Sequence, residues 1–165
     1  MRIRLVLVGF FLVCAFLPYA QAADKSGQAF ANLVKAVKDG NIQDLPGYID
    51  MVGDAKDALA TNTLVELLKN KNPVIRWKVY VALGKIGTVA SRKAIASGIA
   101  GEDKLFWETF KTAIVETDRY ATGNILSVGK PLLPQLEKIA LDPLIQDKSF
   151  VRELIRRVKA GDTKP

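Results

Sequence analysis

The chain has 165 residues, 24 of them basic and 17 acidic, for a net charge of +7. It contains no histidine and a single cysteine, which excludes an imidazole base, a histidine metal ligand and any intramolecular disulfide. The basic balance favours acidic proteins, anionic head groups or polyanions as neighbours, and serves plain solubility equally well.

In chain order, Arg2 and Arg4 form a positive start, Leu5 to Leu17 is apolar apart from Gly9 and Cys14, and Pro18 breaks the run before Ala20-Gln21-Ala22. This is the order of a secretory signal and predicts cleavage after Ala22. A membrane anchor needs roughly 18 or more consecutive apolar residues, and this stretch is shorter. Val13 is bulky where a lipoprotein signal has a small residue, so Cys14 is expected to leave with the leader. Removing residues 1–22 leaves 143 residues, with 22 basic and 17 acidic side chains and a charge of +5. That length suits one domain, 23–160, with a polar tail at 161–165. The expected location is periplasmic or secreted.

Helical periodicity runs through the rest, with no convincing alternating strand. A first helix is predicted from Ser26 to Lys38, burying Phe30, Leu33, Val34 and Val37, with Gly40 as terminator. A second starts near Asp44, with Pro46 in its first turn, and carries Tyr48, Ile49 and Val52. A third covers Ala55 to Lys69. Asn72-Pro73 signals the next start, because Asn caps well and Pro is tolerated in the first turn.

The helix from Pro73 to Ile86 has two apolar faces. Ile75, Val79, Ala82, Leu83 and Ile86 form one, and Val74, Trp77, Val81 and Gly84 form the other. Lys78 and Lys85 share a narrow strip, and Arg76 stands alone. An ordinary surface helix buries one stripe, whereas an inner helix of a stacked array is buried on both sides. A shift of 30 residues pairs Val65 with Ile95, Ile75 with Leu105, Trp77 with Trp107 and Tyr80 with Phe110.

A helix from Asp103 to Ala121 is expected to bury Phe106, Phe110, Ala113, Ile114, Thr117 and Tyr120 and expose Glu108, Lys111, Glu116 and Arg119. Ala121-Thr122-Gly123-Asn124 would end it. Leu132 to Leu141 and Ser149 to Ala160 make a last pair. In the second of these, Val151, Leu154, Ile155 and Val158 form one face, and Arg152, Arg156 and Lys159 line another.

The stretch from Leu64 through Asn72-Pro73-Val74-Ile75-Arg76 to Ala82-Leu83-Gly84-Lys85-Ile86-Gly87 resembles one HEAT repeat. Leu132-Leu133-Pro134 through Phe150-Val151-Arg152 is similar but more divergent, with an enlarged turn around Asp142-Pro143. The resemblance implies an all-α fold, a short α-α superhelix (HEAT-like solenoid) of three to four helix pairs, acting as a binding scaffold. The family's turn carries an Asp where this chain has Asn70 and Asn72, which weakens the expected Asp–Arg ladder between repeats.

No catalytic constellation stands out. Ser127-Val128-Gly129-Lys130 has the serine–lysine spacing of penicillin-recognising enzymes, but it lacks their partner motifs and is followed by Pro131. Gly123 to Lys130 fails as a phosphate loop, because five residues separate the glycines and Pro131 replaces the required Ser or Thr. Glu102 with Asp103 and Glu116 with Asp118 are the nearest carboxylate pairs, read as solvated surface. Trp77 and Trp107 are read as packing residues before ligand-stacking ones.

The expected function is that of an exported, non-enzymatic protein–protein interaction module, with no cofactor and no metal. Its binding candidates are Lys78, Lys85, Arg152, Arg156 and Lys159, and its partner a protein with an acidic surface. The alternatives are electrostatic association with anionic lipid or polysaccharide, or an immunity or inhibitor protein. An enzyme working through carboxylates or Ser127 with Lys130 ranks third. Nucleic acid is not an expected partner, since the leader directs the chain away from it and no aromatic-basic platform is present.

Overall fold

The computed structural model describes residues 27–116, 120–143, 145 and 148–162, and these contain helices and no strand. The leader, Ser26, Thr117, Asp118, Arg119 and the tail beyond Asp162 lie outside the described residues, as do the side chains of Ala113, Glu116 and Tyr120. No helix among the described residues is long and apolar enough to cross a membrane.

Helix α1 covers 27–39 and ends at Gly40, whose φ is +65°. It packs through Ala29, Leu33 and Ala36. Val34 and Val37, expected inside, are about 40% exposed, at 41% and 40%. The helix docks through Leu33 flanked by two alanines, and the valines are rotated outward.

Helix α2, Leu45–Asp54, begins with Pro46 in its first turn and buries Leu45, Ile49 and Val52. It closes with two reversed hydrogen bonds, Lys56 N–H to the Gly53 carbonyl and Asp57 N–H to the Val52 carbonyl, both 3.0 Å. That closure puts Lys56 in the left-handed region, with φ 53°, a position that usually belongs to glycine. The predicted helix from Ala55 is therefore shorter. A 3-10 turn, Ala58–Ala60, is capped by Asp57 and leads into α3, Thr61–Leu67.

Helix α4, Pro73–Ile86, starts as its sequence predicts, with Asn72 Oδ1 accepting from Val74 N–H at 2.9 Å. It packs against α2, α3, α5, α6 and α7. Ile75, Val79, Val81, Ala82, Leu83 and Ile86 are all buried, Trp77 is half-buried and Val74 is exposed. Helix α5, Val89–Ala100, starts at the Thr88 cap. Its small residues give it almost no apolar contrast, and only Ser91, Ile95 and Ile99 are buried.

The single helix expected from Asp103 to Ala121 is instead two, α6 (Lys104–Glu116) and α7 (Tyr120–Val128). Thr122, Gly123 and Asn124, read as a terminator, lie inside α7. Burial of Ile125, Leu126 and Val128 outweighs the weak local preference of that triplet against helix. A 3-10 turn, Lys130–Leu132, then leads to α8, Leu133–Leu141, and α9, Lys148–Ala160.

Helices α2 and α4 run parallel. Asp50 pairs with Lys78 and Asp54 with Lys85, and a Cβ added at Gly53 would come within 2.8 Å of the Ala82 Cα. On its other side α4 meets α7, where a Cβ on Gly84 would overlap the Ser127 carbonyl. Helix α7 in turn packs against α9. Aromatic pairs join α4 to α6, with Trp77 5.0 Å from the ring of Phe110 and Tyr80 5.7 Å from that of Phe106, while Trp107 packs on Phe110 within α6. The 30-residue match is uneven, since Ile75 is buried whereas Leu105 is 60% exposed, and α7 rather than α6 stands between α4 and α9.

Candidate functional site

Five basic residues were expected to form a binding surface, and the structure gives four of them carboxylate partners. Lys78 and Lys85 on α4 pair with Asp50 and Asp54 on α2. Arg156 on α9 makes two bonds to Glu153, at 2.8 and 2.6 Å. That hydrogen bonding holds the Glu153 carboxyl below its usual range and raises Arg156. Lys159 reaches Glu137 of α8 at 2.8 Å. Among the described residues Arg152 makes no ion pair, and it is exposed on α9.

Arg76 has a different role. It is buried, and its Nε donates to Glu102 Oε2 at 2.8 Å while Nη2 donates to Asp103 Oδ2 at 2.9 Å. Its Nη1 donates to the carbonyls of Asn70 and Lys71, at 2.8 and 3.2 Å, so one guanidinium ties the α3–α4 turn to the α5–α6 turn. Glu102, read from sequence as solvated, is buried and also accepts from the Tyr80 hydroxyl at 2.8 Å. Burial first, and then that hydrogen bond, push the Tyr80 phenol far above its ordinary value. Asp103 alone fits the expectation, exposed and accepting from Phe106 N–H at the start of α6.

A cleft of about 1160 Å³ lies where the chain leaves α2, α4, α7 and α9. Four cations line it: Lys56, Lys85, Arg92 and Lys130. Of the expected binding residues only Lys85 is here. Among the described residues Asp162 is the one carboxylate in the lining, and it is bonded to Arg157 at 2.8 Å. Ile86, Ile95, Leu126, Val128 and Val158 supply buried apolar side chains to the cleft walls.

The helix ends explain the local geometry. The α4 Leu83, α7 Ile125 and α9 Val158 carbonyls accept backbone N–H bonds from Gly87, Gly129 and Gly161, each glycine having positive φ. Arg92 Nε caps the Gly87 carbonyl at 3.0 Å. Lysines near helix C-termini are favoured by the macrodipole, a sequence signal that points to Lys56 and Lys130 but not to their meeting in one cleft.

Ser127 also lines the cleft, but its hydroxyl donates to the Asn124 carbonyl at 2.7 Å, and the Gly129 turn separates it from Lys130. Among the described residues no group of three His, Cys, Asp or Glu side chains is placed to hold a metal ion. No family model, curated protein or solved structure matches the chain.

Proposed function

We propose that this protein is an exported, non-enzymatic interaction module of HEAT-like architecture that engages a protein partner with an acidic surface. The observation that carries the reading is the cation-lined cleft, in which Lys56, Arg92 and Lys130 have no carboxylate partner among the described residues. The row formed by α2, α4, α7 and α9, with α3 and α5 packed against α4, supports the HEAT-like part, as does the position of Arg76 between successive turns. The leader-like residues 1–22 support export. Pairing of Lys78, Lys85, Arg156 and Lys159 within the fold weakens a purely electrostatic attachment through those side chains.

The test is to express the tagged full chain in its host and recover it from the envelope fraction at low and moderate salt. The reading expects an intact mass that begins at Ala23 and one stoichiometric protein partner retained at moderate salt. Recovery of only lipid or polysaccharide, lost as salt rises, would replace it with electrostatic association.

A further inference from the structure

We propose that the cleft at the C-terminal ends of α2, α4, α7 and α9 receives an acidic peptide segment of the partner, one that also carries an apolar side chain. This rests on the reading of the protein as an interaction module and supplies the chemistry of its recognition.

Charge is the first argument. Lys85 is neutralised by Asp54, but Lys56, Arg92 and Lys130 face the cleft without a carboxylate partner among the described residues, and Asp162 is engaged by Arg157. The converging helix ends bring partial negative charge. At each end one carbonyl accepts from the N–H of Lys56, Gly87, Gly129 or Gly161, and the Gly87 carbonyl accepts from Arg92 Nε. Three full positive charges without a carboxylate partner outweigh what remains of that partial charge, and an anion entering the cleft meets an excess of positive charge.

Backbone conformation is the second. Lys56 is the one non-glycine residue with positive φ among the described residues. Every other such position, at Gly40, Gly87, Gly129 and Gly161, is glycine. Glycine would close α2 without strain, so a lysine held there keeps an ammonium at the cleft against the local backbone preference. Strain of this kind concentrates at functional sites.

Shape and polarity decide between ligands. A volume of about 1160 Å³ exceeds the roughly 300–1000 Å³ of small-molecule pockets. The walls combine the half-buried ring of Pro131 and the rim of Ile86 with the exposed cations, Ile95 and Leu126 lie beneath that surface, and Gly87 and Gly129 leave backbone open to a neighbouring chain. A bare oxyanion would use the cations and leave the apolar wall wet. A peptide with carboxylates around one apolar side chain uses both.

The probe is a short synthetic peptide with leucine among glutamates, titrated into the isotope-labelled protein and followed by amide chemical shifts. Its glutamine-for-glutamate twin and inorganic phosphate are run in parallel. Shifts centred on Lys56, Gly87, Arg92 and Gly129 with the acidic peptide, and none with the twin, support the proposal. Lys56→Gly should keep or raise the melting temperature while weakening the acidic peptide at least about threefold, and Lys56→Gly with Lys130→Gln about tenfold. Phosphate matching the peptide's affinity, shifts centred on the Arg152 face, or unchanged affinity in both variants would overturn it. The envelope partner gives an independent readout. If Lys56→Gly with Lys130→Gln still captures it, the interaction module stands and the cleft assignment fails. If no variant captures a partner, the module reading fails, while the peptide titration still decides the chemistry of the cleft.

Discussion

Arg76 and Glu102 form a buried ion pair at 2.8 Å, with side-chain exposures of 7% and 5%. Their 26-residue separation makes the pair a tie between the turn that opens α4 and the turn that opens α6. Arg76→Ala would leave the Glu102 carboxylate buried with only the Tyr80 hydroxyl beside it. Removing one partner of a buried pair costs about 3–5 kcal/mol. Urea unfolding should show that loss, and a change below about 1 kcal/mol would mean that Glu102 is solvated.

The Tyr80 phenol is held in its neutral form by burial and by the hydrogen bond to Glu102. With its folded-state pKa above the unfolded value of 10.0, the folded state keeps a proton that the unfolded state loses. This contribution to stability is fully present below pH 10 and declines above it, by about 1.4 kcal/mol per pH unit. Tyr80→Phe should flatten that part of the decline relative to the parent chain when unfolding is followed from neutral to alkaline pH. Parallel curves for the two proteins would contradict the assignment.

Gly84 meets the backbone of Ser127 where α4 crosses α7, leaving no room for a Cβ. The obstacle is main chain, which does not swing aside like a side-chain tip. Gly84→Ala should therefore destabilise by about 1–3 kcal/mol through overpacking, despite alanine's better helix propensity. A gain in melting temperature would show that the two helices are not in contact there.

Trp77 packs edge-on against Phe110, and Trp107 meets the same ring. Because Trp77 is only half-buried, Trp77→Ala should cost about 2–3 kcal/mol, less than the roughly 3–5 kcal/mol of a fully buried tryptophan. An unchanged melting temperature would remove Trp77 from the packing and reopen a ligand-stacking role.

Lys78 and Lys85 reach across to Asp50 and Asp54 from partly exposed positions. Each pair should contribute no more than about 1 kcal/mol and lose most of that at high salt. Lys78→Met and Lys85→Met measured with and without added salt would show this, and a large salt-independent loss would argue for a buried role.

The residues by themselves determined the helical class and much of α2, α4, α8 and α9, because those segments carry their own start signals and apolar spacing. Asn72-Pro73 opens α4 where it was expected, and Val151, Leu154 and Val158 are buried on α9 as their spacing requires. Helix α5 was not delimited because its alanines, serines and glycine offer little contrast between faces. The run of α7 through Thr122-Gly123-Asn124 was missed because that triplet looks like a terminator until the burial of Ile125 and Leu126 is known. The charged groups were hardest to place, since a side chain's partner depends on which helices meet. Only tertiary structure could pair Arg76 with Glu102, neutralise Lys78 and Lys159, and bring Lys56, Arg92 and Lys130 into one cleft. Apolar periodicity is a local property that one helix expresses alone, whereas ion pairing and cleft formation depend on contacts between segments far apart in the chain.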